Sequence, residues 1–116
     1  MYLLKLCSIF EKLSVRMKGK CLSELPGYER HILIYRAVHK DVNKFFPMDY
    51  VTMSRRFAKG HADHQAAIEE EDYHVLSSLV PSSSLYQTPN IGSDEFFYDG
   101  KVILGKIIYK APAEAI

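Results

Sequence analysis

Residues 28–46 read YERHILIYRAVHKDVNKFF, and the period assigned to this stretch decides the fold. Tyr28, Ile32, Tyr35, Val38, Val42 and Phe45 recur at steps of three and four, which sets them on one face of a helix. The centre of the same stretch, His31 to Tyr35, is rich in β-branched and aromatic side chains that also suit a strand. The helical period holds for about 18 residues and stops at Pro47, so a helix is the expectation.

Upstream, Leu3, Leu6, Phe10, Leu13 and Met17 share one helical stripe, predicting an amphipathic helix over 2–17. Lys18-Gly19-Lys20 and the Pro26-Gly27 pair then punctuate the chain. Downstream, Asp49 suits the N-cap of a third helix over 50–59, with Tyr50, Met53 and Phe57 inward and Gly60 as its breaker. A fourth helical region spans about 62–80. The acids at 69–72 divide it, with Asp72 capping a shorter helix through Tyr73, Leu76 and Val80 before Pro81. Residues 81–93, rich in Ser, Pro and Asn, read as a loop long enough to suggest a function.

Asp99-Gly100 tolerates the positive φ angles of a tight turn, and the flanking segments 95–98 and 101–110 are apolar, so a β-hairpin is expected. In that register Phe96, Tyr98, Ile103, Ile107 and Tyr109 share one face, and Phe97, Val102, Leu104 and Ile108 share the other. A ribbon apolar on both sides has to cover both, one on its own helices and the other on its own domain or on a second copy. The expected fold is therefore α+β: three or four helices over about 2–80, a loop over 81–93, and a C-terminal antiparallel β-hairpin over 94–110 packed on the helices. With 116 residues, one domain over 1–116 is the expectation.

Hydrophobic residues at 47% and charged residues at 25% describe an ordinary globular composition and exclude a fibrous or disordered default. Lys5 interrupts the apolar N-terminus, no signal-peptide cleavage pattern follows, and no stretch matches a membrane span, so a cytoplasmic protein without membrane attachment is expected. Cys7 and Cys21 lack zinc-site or CxxC spacing and read as free thiols of a reducing compartment, with a disulfide as the lesser alternative.

The net charge of +1 conceals an asymmetry. Residues 1–60 hold 12 Lys or Arg against 5 Asp or Glu, and residues 61–116 hold 3 against 9. On the second predicted helix Arg36, Lys40 and Lys44 form a basic stripe, and Arg55, Arg56 and Lys59 cluster on the third. Solvated faces paired with the acidic half are the simplest reading, and phosphate-tracking is the sharper one. A helix-turn-helix across Gly60 fits poorly, because the four acids at 69–72 would repel DNA phosphates.

His61 and His64, near Asp63 with Glu69 and His74 beyond, have a spacing compatible with a divalent metal but no defined third ligand. His31 and His39 read as flanking side chains rather than catalytic ones. The cysteines, Ser82 to Ser84, the scattered glycines and the consecutive acids match no nucleophile, phosphate-cradle or acid/base pattern, and no cofactor is expected. The leading expectation is a small non-enzymatic interaction protein, an adaptor or inhibitor. It would bind a larger macromolecule, most simply a protein, through the charged face and the apolar hairpin or the 81–93 loop, with Tyr98, Ile108 and Tyr109 as anchors beside the six basic residues. A nucleic-acid-binding regulator, as a hairpin-linked homodimer, is the alternative, and a metal-dependent enzyme the third.

Overall fold

His31–His39 is a strand, and with it the helical reading of 28–46 falls. The computed structural model describes residues 19–28, 30–88 and 95–113. In chain order its strands are His31–His39 (β1), Lys44–Phe45 (β2), Tyr50–Thr52 (β3), Tyr73–Pro81 (β4), Leu85–Gln87 (β5), Glu95–Tyr98 (β6), Ile103–Leu104 (β7) and Lys106–Ala111 (β8). Among the described residues there is one α-helix, Arg55–Glu69 (α1). Six strands form an antiparallel sheet in the order β5-β6-β3-β1-β4-β8, and β2 pairs with β7 in a small second sheet. The described residues are thus mainly β, which corrects the α+β expectation of three or four helices followed by a hairpin. The helix predicted over 2–17 lies outside the described residues.

The physical reason lies in β1 itself. Ile32, Ile34 and Val38 are buried on one face, while Tyr35 and Ala37 pack on the other, against α1. A strand with apolar residues on both faces contains steps of three and four as well as two, so its pattern imitates a helix. Pairing decides between them: β1 and β4 run antiparallel over nine positions, from His31↔Pro81 to His39↔Tyr73, and satisfy each other's backbone.

α1 starts later than the predicted third helix and runs through its supposed breaker. Ser54, not Asp49, is the N-cap, with its Oγ accepting from the Phe57 N–H at 3.1 Å. Gly60 lies inside the helix, where an added Cβ would meet nothing within 4 Å. Ala58, Ala62 and Ala66, four residues apart, form the buried stripe, and their small size lets the helix lie close on Val75 and Ala111 of the sheet. The helix ends where Glu70 turns left-handed, at φ 53° and ψ 40°. Beyond it Asp72 caps no helix; its Oδ1 accepts from the Ala113 N–H at 2.8 Å. The chain from Tyr73 to Pro81 is β4, so the fourth predicted helix is half α1 and half strand.

Asp99-Gly100 makes no hairpin. β6 pairs with β3 and β5, whereas β7 pairs with β2 and β8 with β4. Those long-range partners bury Phe96, Phe97 and Tyr98, covering both faces, as an isolated ribbon could not. The turn instead wraps the Tyr98 ring, whose hydroxyl donates to the Lys101 carbonyl. Residues 85–87 of the predicted loop are strand β5.

On the face away from α1, the main core gathers Ile32, Ile34, Val38, Leu76, Val80, Val51, Leu85, Phe96 and Tyr98, closed by Leu22, Phe45 and Ile103. The β2–β7 pair lies over this face, and Gly105, between β7 and β8, makes the close crossing possible. A Cβ there would sit 2.8 Å from Leu76 Cβ. Among the described residues no helix is long and apolar enough to cross a membrane.

Candidate functional site

The sheet is weakest at its middle. β1 and β3 are neighbours yet share one register pair, Tyr35↔Thr52, where β1 and β4 share nine. Where they part, a cleft of about 260 Å³ opens between the strands and the first two turns of α1. Its lining comes from Tyr35, Arg36 and Ala37 of β1, Tyr50 to Thr52 of β3, Phe57, Ala58 and His61 of α1, and Glu95 of β6.

Register explains the assembly. Tyr35 pairs with Thr52 and Thr52 with Glu95, so these three stand in one row across β1, β3 and β6 on the face that carries α1. The Ser54 N–H donates to Thr52 Oγ1 at 3.0 Å, tying the helix start to that row. Phe57 and His61, one turn apart, stack with ring centroids 6.4 Å apart. Tyr50 lies against Phe97 at 4.7 Å, which fixes its ring at the cleft wall.

Arg36 lines the cleft where β1 and β3 part, although its register partner Leu76 belongs to the core on the face away from α1. Its Nη1 donates to the Tyr50 carbonyl at 3.0 Å, and its Nε lies 3.7 Å from Asp49 Oδ2. A guanidinium has five N–H donors, and the Tyr50 carbonyl takes one of them. Glu95 is the anion, half-buried at the start of β6. Beside the cleft, Ser54, Arg56, Phe57, Gly60, His61 and His64 line a second, more open concavity that shares Phe57 and His61 with it. Chemically, the cleft offers one guanidinium, one carboxylate, one imidazole and aromatic surface within a single-ligand space.

The residues singled out in the sequence are dispersed. Arg36 enters the cleft, but Lys40 lies in the turn after β1 and Lys44 in β2, so no basic stripe forms. Arg55 and Arg56 are exposed on the first turn of α1, and Lys59 places its Nζ 5.2 Å from the Tyr109 ring centroid. Tyr98 is buried. Ile108 packs in the core beneath α1, and so does Tyr109, whose hydroxyl donates to Asp63 at 2.7 Å, holding its own pKa above the ordinary value. His61 and His64 gain no third ligand: among the described residues no group of three or more His, Cys, Asp or Glu is arranged for a metal. Cys21 is buried and free, 3.3 Å from the Ser83 carbonyl, and Cys7 lies outside the described residues.

Glu95, Tyr50 and Phe57 were not singled out as site residues. No local signal marks them, because they line one cleft only through the pairing of distant strands and the packing of α1. The chain matches no protein-family model, no curated protein and no solved structure.

Proposed function

We propose that the chain binds a nucleotide in the β1–β3 cleft and acts on the bond between its sugar and its base. The observation that carries this reading is the combination of Arg36, Glu95 and the aromatic walls Tyr50 and Phe57 in one cleft. A guanidinium with spare donors suits a phosphate, which it grips through paired N–H groups. Exposed aromatic faces suit a planar base, with stacking worth roughly 1–3 kcal/mol. A carboxylate accepts from ribose hydroxyls, and its charge stabilises the positive charge that builds on the sugar carbon as its bond to the base breaks.

In that step the bonding pair departs on the ring nitrogen. Water or another acceptor supplies the pair that replaces it at the sugar carbon and gives up its proton to solvent. One carboxylate suffices where the ring already bears a positive charge, as in a pyridinium nucleotide, because the ring leaves neutral. A neutral base needs a proton, and His61 is the cleft side chain whose chemistry fits that transfer. The adaptor reading drew on the charge polarity, the tyrosine content and the lack of catalytic motifs, and also on an exposed two-sided hairpin with Tyr98 as an anchor. The hairpin does not form and Tyr98 is buried, which removes those two grounds.

The test is incubation of the protein with NAD+ and with AMP, following release of the base by chromatography and binding by calorimetry. Binding and release of a base from at least one of them is expected. Glu95→Gln should retain binding while release falls by about a hundredfold or more, and Arg36→Gln should weaken binding. Failure of the wild type to bind either nucleotide, or full turnover by Glu95→Gln, overturns the proposal.

A further inference from the structure

We infer that the outward face of the β2–β7 pair is a docking surface for an anionic lipid bilayer. Alternation sorts the side chains of this small sheet. Phe45 and Ile103, a register pair, pack into the main core, while Lys44 and Leu104, the adjoining register pair, are exposed. Phe46 and Val102 continue the outward side of that alternation. Phe46, Val102 and Leu104 therefore project together, 45%, 50% and 69% exposed. Ile107 of β8, in register with the core residue Leu76 and itself exposed, borders them. Apolar side chains gathered in this way mark a contact surface.

The charges around it select the occupant. Residues 42–48 and 100–107 contain no acid. Lys44, Lys101 and Lys110 are exposed, and among the described residues none of the three has an ion-pair partner. The bordering acids are engaged within the fold: Asp49 accepts from the Phe46 N–H and lies 3.7 Å from Arg36 Nε, Asp41 lies 3.4 Å from His39 Nδ1, and Asp99 is not free. A two-fold copy of the chain would set the lysines against their own kind. An anionic headgroup layer answers them, and the lysine stems can lie along the apolar side chains while their ammonium groups reach the phosphates. Leu104 is the most exposed large apolar side chain among the described residues. A fluid acyl layer admits such a projection without the shaped cavity that a folded protein partner must supply. Surface contact of this kind needs no membrane-crossing helix. The small sheet lies on the side of the main sheet opposite α1, so a docked molecule holds the α1 side away from the bilayer.

The experiment is co-sedimentation with vesicles of phosphatidylcholine containing phosphatidylserine, against vesicles of phosphatidylcholine alone. At about 50 mM salt, binding to the anionic vesicles alone is expected, and it should fall steeply at about 500 mM. Val102→Ser with Leu104→Ser removes apolar surface and no charge, and should weaken binding by about tenfold or more. Lys44→Gln, Lys101→Gln and Lys110→Gln should each weaken it about fivefold. All five positions are exposed, so each variant should keep the wild-type Tm. Absence of binding to the anionic vesicles overturns the inference. So does binding that ignores the serine pair but is lost in Arg55→Gln with Arg56→Gln, which would place the contact on α1. Binding to polyglutamate and not to vesicles would assign the surface to an acidic protein segment instead, and a dimer that the serine pair dissolves, without vesicle binding, would assign it to a second copy. None of these outcomes bears on the nucleotide reading.

Discussion

Replacing Gly105 with alanine tests how tightly the small sheet sits on the large one. An added Cβ would lie 2.8 Å from Leu76 Cβ, 3.0 Å from Leu76 Cδ1 and 3.0 Å from Phe45 Cε2, where ordinary contact is 3.4–4 Å. Neither neighbour has room to give. Leu76 is fully buried and pairs with Arg36 on one side and Ile107 on the other, and Phe45 is fully buried in the same core. Gly105 is not among the positive-φ residues, so the cost is steric and not conformational. Overpacking of this kind costs about 1–3 kcal/mol, offset by about 0.4–1 kcal/mol because alanine restricts the unfolded chain. A net loss of about 1–2 kcal/mol follows, which for a domain of this size lowers Tm by roughly 5–10 °C. Urea denaturation should show the midpoint falling with an unchanged slope. A loss under about 0.5 kcal/mol, or a gain in stability, would refute the tight crossing of Gly105 over Leu76 and Phe45.

Two other perturbations read different parts of the fold. Gly60→Ala should stabilise by about 0.5–1 kcal/mol, seen as a higher Tm, because the position is helical and open; destabilisation would mean that the helix does break there. The Tyr73 hydroxyl donates to the Glu69 carboxylate, and this bond, with burial and the nearby charges of Glu69 and Glu71, pushes its pKa from 10.0 up to about 12. A folded-state pKa above the unfolded one gives stability that is complete below about pH 10 and is lost as the pH rises through 10 to 12. Alkaline unfolding curves should therefore be flatter in this window for Tyr73→Phe than for the wild type. Identical slopes would show that the bond does not persist in solution.

Burial proved easier to read than secondary structure. Ile32, Val38 and Phe45 were expected inward on a helix, and all three are buried, though on strands. Apolarity drives a side chain out of water whatever backbone carries it, so the forecast of burial survives a wrong period. Tyr28, expected on the same face, is 40% exposed, and Tyr50 and Phe57 are further exceptions. Both were expected in the core, and both remain about two-fifths exposed because they wall a cleft. Arg36 was visible as a basic residue, but its presumed neighbours Lys40 and Lys44 were neighbours only on a helix that does not form.

By itself the sequence determined the apolar inventory, the turn at Pro47, and the side-chain types available for chemistry. These are properties of single residues and short windows, and they act before any long-range contact exists. Tertiary structure decided the rest. An apolar run that suits helix or strand equally becomes β1 only because Tyr73–Pro81 is there to satisfy its backbone over nine positions. Likewise, Tyr35 and Glu95 share a cleft only because Thr52 pairs with both, and because β1 and β3 part beyond that row. Strand partnership is a choice among distant segments made by mutual hydrogen bonding and burial, and no local period encodes it.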